Sequence, residues 1–582
     1  MIIALSGALI TVFVSDSLLW HGVITAKYFW FSAAICAVSL SLPFQISKKN
    51  YIYATDLWFA VLFLYVCANW VCLNRHSTMQ WWLTLLMIPL FIGARTIAGN
   101  EKLQRLFYDL LLIVVFTEAV WGLLQLFGIV RSYHNLYNIT GSLFNPGPYA
   151  GFIAIGAPLA LNYLLNKTLS NWRQWLGVFT ISAIGLLLPV TMSRAAWIAA
   201  IAGCIFVLWK FLRVSVFKVF AQLTIRFSSI ISRITAVFFA GILVVSLLTG
   251  VYLMKKNSAD GRRFIWLVCL DAIKERPLFG SGFGRFAAVY GDIQAKYFYT
   301  GKGSNADTII ADSPDYAFNE YVQIAVELGI VGLVLFILTL GSTLSNRHFL
   351  QFTPRSSLVA FLIFSAFSYP FSVLPLSIFF IFLLAFSTQF SRKFSFILPI
   401  WLQILGIIFC WTISFYSAYQ ILPKRSAYQE WITLQKLYIV NEYSSASKGY
   451  STLYCKLRHE KNFLFEYGQC LSKTGQYTES NRIFEEYLFL DSDPMVYNCM
   501  GNNFKEMGEY KKAENMYIRA SQIVPNRHYP LYLLMKLYSE NGQIEKAKLI
   551  ANDLLKKPVK INSTAIHEMQ KEAKDLLFKN EK

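Results

Sequence analysis

Thirteen apolar stretches follow one another through the first 420 residues, and no water-soluble domain accommodates such a series. A bilayer core of about 30 Å asks roughly 20 apolar residues of each crossing helix. On that measure spans are predicted near 1–20, 28–46, 56–74, 80–97, 106–130, 148–166, 174–191, 194–212, 234–253, 320–344, 356–372, 374–391 and 395–417. A hydrophobic content of 55% over 582 residues and a mean hydropathy of +0.45 exclude a soluble protein. The first stretch has no basic flank before it and no convincing cleavage site, so it reads as a retained span.

The loops carry the orientation. Lys48/Lys49, Arg95/Lys102/Arg105, Lys167/Arg173, the segment holding Lys210, Arg213, Lys218, Arg226 and Arg233, then Arg347/Arg355 and Arg392/Lys393 all fall on one side. By the positive-inside bias that side is cytoplasmic, which places 131–147, 191–194 and 254–319 together on the outer face. Pro370 and Pro375 mark a tight hairpin at 356–391, either two spans or one re-entrant element, and losing one crossing there would reverse everything after it. The same bias accounts for 53 Lys+Arg against 33 Asp+Glu, so the net charge of +20 calls for no nucleic-acid partner. Nine cysteines form no CxxC pair and no Cys/His cluster, and neither a disulfide framework nor a metal site is expected.

Beyond residue 420 the chain becomes charged and helix-forming, with a period of about 34 residues that marks tetratricopeptide repeats. One copy carries Leu464, Gly468, Gly475, Tyr477, Ser480 and Phe484, the next Met500, Gly501, Phe504, Gly508, Tyr510, Ala513, Tyr517 and Ala520. A third has Leu531, Tyr538, Gly542, Ala547 and Ala551. Small residues let paired helices approach and aromatic ones fill the space between, so most of this pattern is core. The concave groove of such a stack would take a peptide or protein partner, or the stack is a structural cap on the membrane domain.

Four polar motifs punctuate the spans: GSLFNPGPYAG (141–151), TMSRAAW (191–197), DGRRFIW (260–266) and AFNEYVQIAVELGIVG (317–332). The threading above gathers them at the outer face. Asn145-Pro146-Gly147-Pro148 is a turn sequence. Arg194 stands at the outer end of a span, where an arginine either snorkels to headgroups or serves a function. Residues 262–275 are predicted to form an amphipathic helix burying Ile265, Trp266, Cys269, Ala272 and Ile273, with Arg262 in its first turn as part of an anion site. Gly280, Gly282 and Gly284 in PLFGSGFGRF lack a strand–loop–helix context for a nucleotide, and are expected to permit close backbone approach to the membrane domain. Asn319 and Glu320 open a span, where such groups also serve as caps. Tyr290, Tyr297, Phe298 and Tyr299 suit either sugar faces or an interfacial belt.

In this order and at these spacings the motifs resemble the O-antigen ligase and polymerase superfamily over about 140–345. The resemblance implies a membrane glycosyltransferase that takes a glycan from undecaprenyl pyrophosphate at the outer face of the bacterial inner membrane, with no cofactor or metal. It implies that Arg194 and Arg262 hold the donor pyrophosphate, and the neighbouring Arg263 is a further candidate for that contact. Asn319, Gly329 and Gly332 keep the family's spacing, but Phe318 stands where a histidine is usual. The group that activates the acceptor must then come from elsewhere. Asp312, Asp315, Asn319 and Glu320 are the candidate catalytic residues, Asp312 and Asp315 ranking above Glu320, with His134 of the outer face a further candidate. Arginines can stabilise a departing diphosphate, and a carboxylate or imidazole can take the proton of an acceptor hydroxyl.

The expected whole is an all-α polytopic transmembrane bundle of about 12–13 spans over 1–420, with an outer loop at 254–319 and a tetratricopeptide α-solenoid over 421–582. It lies in the inner membrane with the site and the repeats facing the periplasm. Its partners are the lipid-linked glycan, membrane lipids, an acceptor and a protein on the repeats. Lipid A core is the favoured acceptor, as for an O-antigen ligase; an exported protein would make it a protein O-oligosaccharyltransferase, and a growing chain a polymerase. A non-enzymatic partner in polysaccharide export would instead show paired broken helices and internal symmetry, and the sequence has no such repeat between its halves.

Overall fold

The computed structural model describes residues 1–47, 50–74, 76–212, 256–344, 353–388 and 393–578, and they are overwhelmingly helical. A single antiparallel pair of strands among them, Tyr51–Tyr53 with Lys393–Ile397, is the exception to an all-α chain. Eight of the described helices are long and apolar enough to cross a membrane, and four shorter apolar helices accompany them: Ile2–Phe13, Arg194–Trp209, Pro354–Ser365 and Leu374–Thr388. They occupy the places of twelve predicted spans, while the stretch predicted at 234–253 lies outside the described residues. This is a multi-pass membrane protein. Leu64, Leu186 and Ile201 remain exposed on helix faces, as lipid-facing residues do.

The proline hairpin is sunk in the bundle. Thr353–Ser365 and Leu374–Thr388 are joined through a short turn at Pro370–Ser372, and every residue of the second helix is buried. At 1.5 Å per residue these helices reach only about 20 Å, less than the hydrocarbon thickness. They make the centre of the bundle and lift the turn between them toward the outer loop.

The outer loop has a core of its own. Helices Lys256–Glu275 and Phe286–Tyr299 pack Phe264, Val268, Cys269 and Ala272 against Phe286, Tyr290 and Ile293. The first of these helices starts six residues earlier than predicted, so Arg262 lies in its second turn and the helix N-terminus is not beside the guanidinium. Gly261, a poor helix former, is carried inside it at a cost of about 1 kcal/mol. Of the loop aromatics, Tyr290 is buried and Tyr297 and Phe298 pack against that core, leaving Tyr299 exposed.

The helix Glu320–Leu344 is interrupted at Gly329, whose backbone (φ 68°, ψ −172°) is almost confined to glycine. Backbone groups freed by the break find partners in the loop at 277–284. Ser281 N–H donates to Val326 O (2.9 Å) and Gly282 N–H to Glu327 O (2.9 Å), while Ile330 N–H donates to Pro277 O (2.8 Å). Gly280 makes the approach possible, because a Cβ there would lie 2.4 Å from the Glu327 carbonyl oxygen. The expected close approach therefore holds at Gly280, whereas a Cβ at Gly284 would meet nothing nearer than 3.9 Å.

The C-terminal segment stacks four helix pairs, from Lys424–Ile439 with Tyr443–Leu457 to Tyr529–Glu540 with Ile544–Lys556, and ends on Thr564–Phe578. Gly468 and Gly501 sit where a Cβ would strike Phe484 (2.5 Å) and Tyr517 (2.4 Å). The first pair was not visible as a repeat, because Ala427, Tyr428, Trp431 and Tyr450 bury the expected face without the repeat's glycine spacing. The stack lies against the outer loop, so loop and repeats share one side of the bundle. Replacing Gly329 by Ala should cost roughly 1–3 kcal/mol from the backbone conformation alone, before the clash with Leu278 O at 2.2 Å. The check is a lowered thermal midpoint of the purified protein in detergent; an unchanged midpoint would mean that the helix break is not required.

Candidate functional site

The TMSRAAW motif makes a sharp corner between two spans. Met192 takes a left-handed conformation (φ 50°) after Asn171–Thr191, and the next helix begins at Arg194. The indole of Trp197 donates to Leu188 O (2.6 Å), pinning the corner. Arg194 thus stands at the first turn of a helix, where the macrodipole already places partial positive charge. Arg262 comes to the same place from the outer loop. Its Nη1 donates to Phe367 O (2.8 Å) in the proline hairpin, and its guanidinium lies 5.3 Å from the centre of the Phe318 ring. Burial pulls the Arg262 pKa down, and the nearby Arg194 charge pulls it further. The two guanidiniums are within electrostatic reach of each other, and positive charge beside a helix N-terminus favours an anion. Arg263, the next residue round the helix, is exposed.

Phe318 fills the usual histidine position in a left-handed conformation (φ 52°). Its ring meets Tyr369 edge-on at 5.4 Å, and Tyr369 stacks on Tyr316 at 4.5 Å. Trp266 Nε1 donates to Ala317 O (2.9 Å), tying this segment to the Arg262 helix. Asn319 is a helix cap, its Oδ1 accepting from Tyr321 N–H (3.0 Å) and Val322 N–H (3.1 Å). Glu320 is buried and accepts Phe371 N–H (2.7 Å), which fastens the hairpin turn to the same helix. Glu327 accepts Gly284 N–H (2.9 Å). Glu320, Gln323 and Glu327 line a cavity of about 360 Å³ with Tyr28, Gln80 and Tyr316.

The carboxylates ranked first lie farther out. Asp315 is ion-paired with Lys461 of the repeats, and Asp312 is largely exposed, 3.5 Å from Arg527. Asp315 is nonetheless joined to the site through its neighbour in the chain. It adjoins Tyr316, which stacks on Tyr369, and Tyr369 in turn meets Phe318 beside Arg262. His134 is taken up within its own loop, its Nδ1 accepting Leu136 N–H (3.0 Å). The GSLFNPGPYAG motif is structural: Glu118 accepts the Ser142 N–H (3.1 Å) and hydroxyl, and Asn145 caps Pro146–Leu165 through Gly147 N–H (2.9 Å). The paired prolines predicted this hairpin turn, but nothing in the sequence pointed to Phe367 and Tyr369 as its contacts with the site.

Fold and site together define a polytopic helical membrane protein with a cationic site under an outer loop and a helical-repeat stack over it. Residues 177–337 match the O-Antigen ligase family, and residues 428–493 match YpiA-like C-terminal tetratricopeptide repeats. The resemblance seen in the motifs holds over that first stretch, which contains Arg194, Arg262, Asn319 and Gly329. Proteins described as "Putative polysaccharide ligase" are similar to this chain. The one from Rickettsia conorii is 29% identical over 195 residues, covering 31% of this chain and 43% of the relative. The one from Rickettsia prowazekii is 30% identical over 159 residues, covering 26% and 35%. The chain thus spans less than half the length of these relatives. A solved structure, "Crystal structure of APC/C hetero-tetramer Cut9-Hcn1", aligns at 11% identity with a TM-score of 0.22, too low to bear on the fold.

Asn319 serves as a cap in this geometry, and its replacements separate that role from chemistry. Asn319→Ala should cost about 1 kcal/mol of stability and Asn319→Ser only a few tenths, read as thermal midpoints in detergent. Equal losses in the two variants would contradict the capping role.

Proposed function

We propose that this protein transfers a glycan from undecaprenyl pyrophosphate to an acceptor at the outer, periplasmic face of the bacterial inner membrane, acting as an O-antigen ligase with lipid A core as acceptor. The observation that carries the reading is the convergence of Arg194 and Arg262, from two motifs far apart in the chain, at one helix N-terminus. An acceptor hydroxyl attacks the anomeric carbon, the bond from that carbon to the diphosphate oxygen breaks, and the diphosphate leaves with the electron pair. Arg194 and Arg262 neutralise the charge that develops on it, with Arg263 available from the exposed side. The hydroxyl proton passes to a carboxylate, for which Asp315 has the best support since it adjoins Tyr316, which stacks on Tyr369 next to Phe318 and Arg262. Glu320 is the alternative nearest the cavity, Asp312 lies outermost, and Asn319 orders the helix start. Membrane lipids surround the bundle.

One observation favours a second acceptor. The repeats sit directly on the outer loop, so a protein held by them would be presented beside the site, as a protein O-oligosaccharyltransferase requires. Deleting the gene and running lipopolysaccharide and periplasmic glycoproteins on one gel separates the cases. Loss of polymer from lipid A core is the expected result; loss of protein glycosylation would establish the second reading, and no change in either would defeat both.

The arginines give a sharper test. Arg194→Ala or Arg262→Ala should lower transfer by about 10²–10³-fold, or about 3–4 kcal/mol, with the protein still in the membrane. Lysine should rescue poorly because it lacks the guanidinium fork. Near-normal transfer by Arg194→Ala would leave it a headgroup-seeking side chain.

A further inference from the structure

Segment 308–319, which leads into the Arg262–Phe318 contact, is held largely by residues of the repeats. Asn526, in the turn after the helix Tyr510–Ile523, donates through Nδ2 to Ala311 O (2.7 Å) and Thr308 O (3.1 Å). Gln294 of the outer loop donates to Asp312 O (3.0 Å) and to Ile523 O (2.5 Å), joining loop, segment and repeats in one knot. Gly291 packs so closely on the repeats that a Cβ would lie 2.3 Å from Ser492 Oγ. Phe489 is wedged between Arg285 (4.2 Å) and His76 (3.8 Å between ring centres).

Lys461 is the charged centre of this contact. Its ammonium bridges Asp315 and Asp491, the latter at 2.5 Å, and Asp491 is buried with its other oxygen accepting Ser492 N–H (2.7 Å). The two carboxylates repel each other, so without the ammonium between them the pair would drive segment and repeats apart. Three residues beyond Asp315 comes Phe318, whose left-handed backbone survives only where its surroundings over-determine it.

We propose that the tetratricopeptide repeats are a fixed part of the transfer site, with Lys461 a positioning residue that holds segment 311–319, and so Phe318 beneath Arg262, in the reactive arrangement. Its catalytic half rests on the proposed glycan transfer; its structural half does not. The repeats then do more than recruit a partner, because the site is incomplete until they dock.

The test uses the full-length chain in a strain lacking its own copy. Lys461→Met and Asn526→Ala should each lower transfer by about tenfold or more through misplacement of the site, while Lys461→Arg, able to bridge both carboxylates, keeps most of it. Lys512→Met, an exposed repeat lysine paired only with Glu509 among the described residues and in cation–π contact with Phe504, should leave transfer unchanged. Hydrogen exchange on the purified proteins gives an independent reading: amides of 311–319 should exchange about tenfold faster in Lys461→Met and near the native rate in Lys461→Arg. Native exchange in Lys461→Met overturns the proposal, and so does native transfer despite faster exchange. If the unaltered protein transfers no glycan, the functional reading fails, while faster exchange in Lys461→Met still supports the placement by Lys461.

Discussion

The structure depends on the break at Gly329. Within a bilayer every unpaired backbone group costs several kcal/mol, so a helix can be interrupted there only if other protein supplies its partners. Loop 277–284 supplies them, through Ser281, Gly282 and the Pro277 carbonyl. That requirement anchors the outer loop to the bundle at a fixed height and orientation. Once anchored, the helix Lys256–Glu275 carries Arg262 to the corner where Arg194 begins its own helix. The cationic site is thus a consequence of backbone hydrogen bonding some distance away from it.

A second constraint acts through the proline hairpin. Its helices are too short to cross, and its turn rises to meet the site from below. Phe367 O receives Arg262, and Phe371 N–H is received by Glu320, so an intramembrane carboxylate is engaged in holding the turn. Tyr369, Tyr316 and Phe318 pack between these anchors. The resulting floor is aromatic and its rim is cationic. The repeats close the arrangement from outside, with Trp431 stacked on Trp20 (3.8 Å) at one end and Asn526 on the loop carbonyls at the other.

Much of the membrane bundle was legible because apolar length is a local property: twelve predicted spans coincide with described apolar helices, although the two of the hairpin are too short to cross. The two arginines were legible as motif residues. Their meeting through Phe367 and Tyr369 was not, since nothing local in a Tyr-Pro turn tells which loop lies above it. Helix ends were misjudged where a glycine was tolerated inside, as at Gly261. The first repeat pair was hidden because it reaches the same packing with Trp431 and Tyr450 in place of the period's usual residues. Asp312 and Asp315 were singled out by proximity in sequence, and the structure adds that the repeats engage them with Arg527 and Lys461, contacts of long range that no periodicity encodes.

The central claim is that Arg194 and Arg262 together form a diphosphate site, and binding tests it without any need for an acceptor. Farnesyl pyrophosphate, a short lipid diphosphate, can be titrated against the purified full-length protein in detergent. Saturable binding is predicted, weakened by about tenfold or more when either arginine is replaced by Ala, as expected for loss of a charge-assisted contact of about 1.5–3 kcal/mol. Equal binding by the unaltered protein and the double Ala variant would contradict the account.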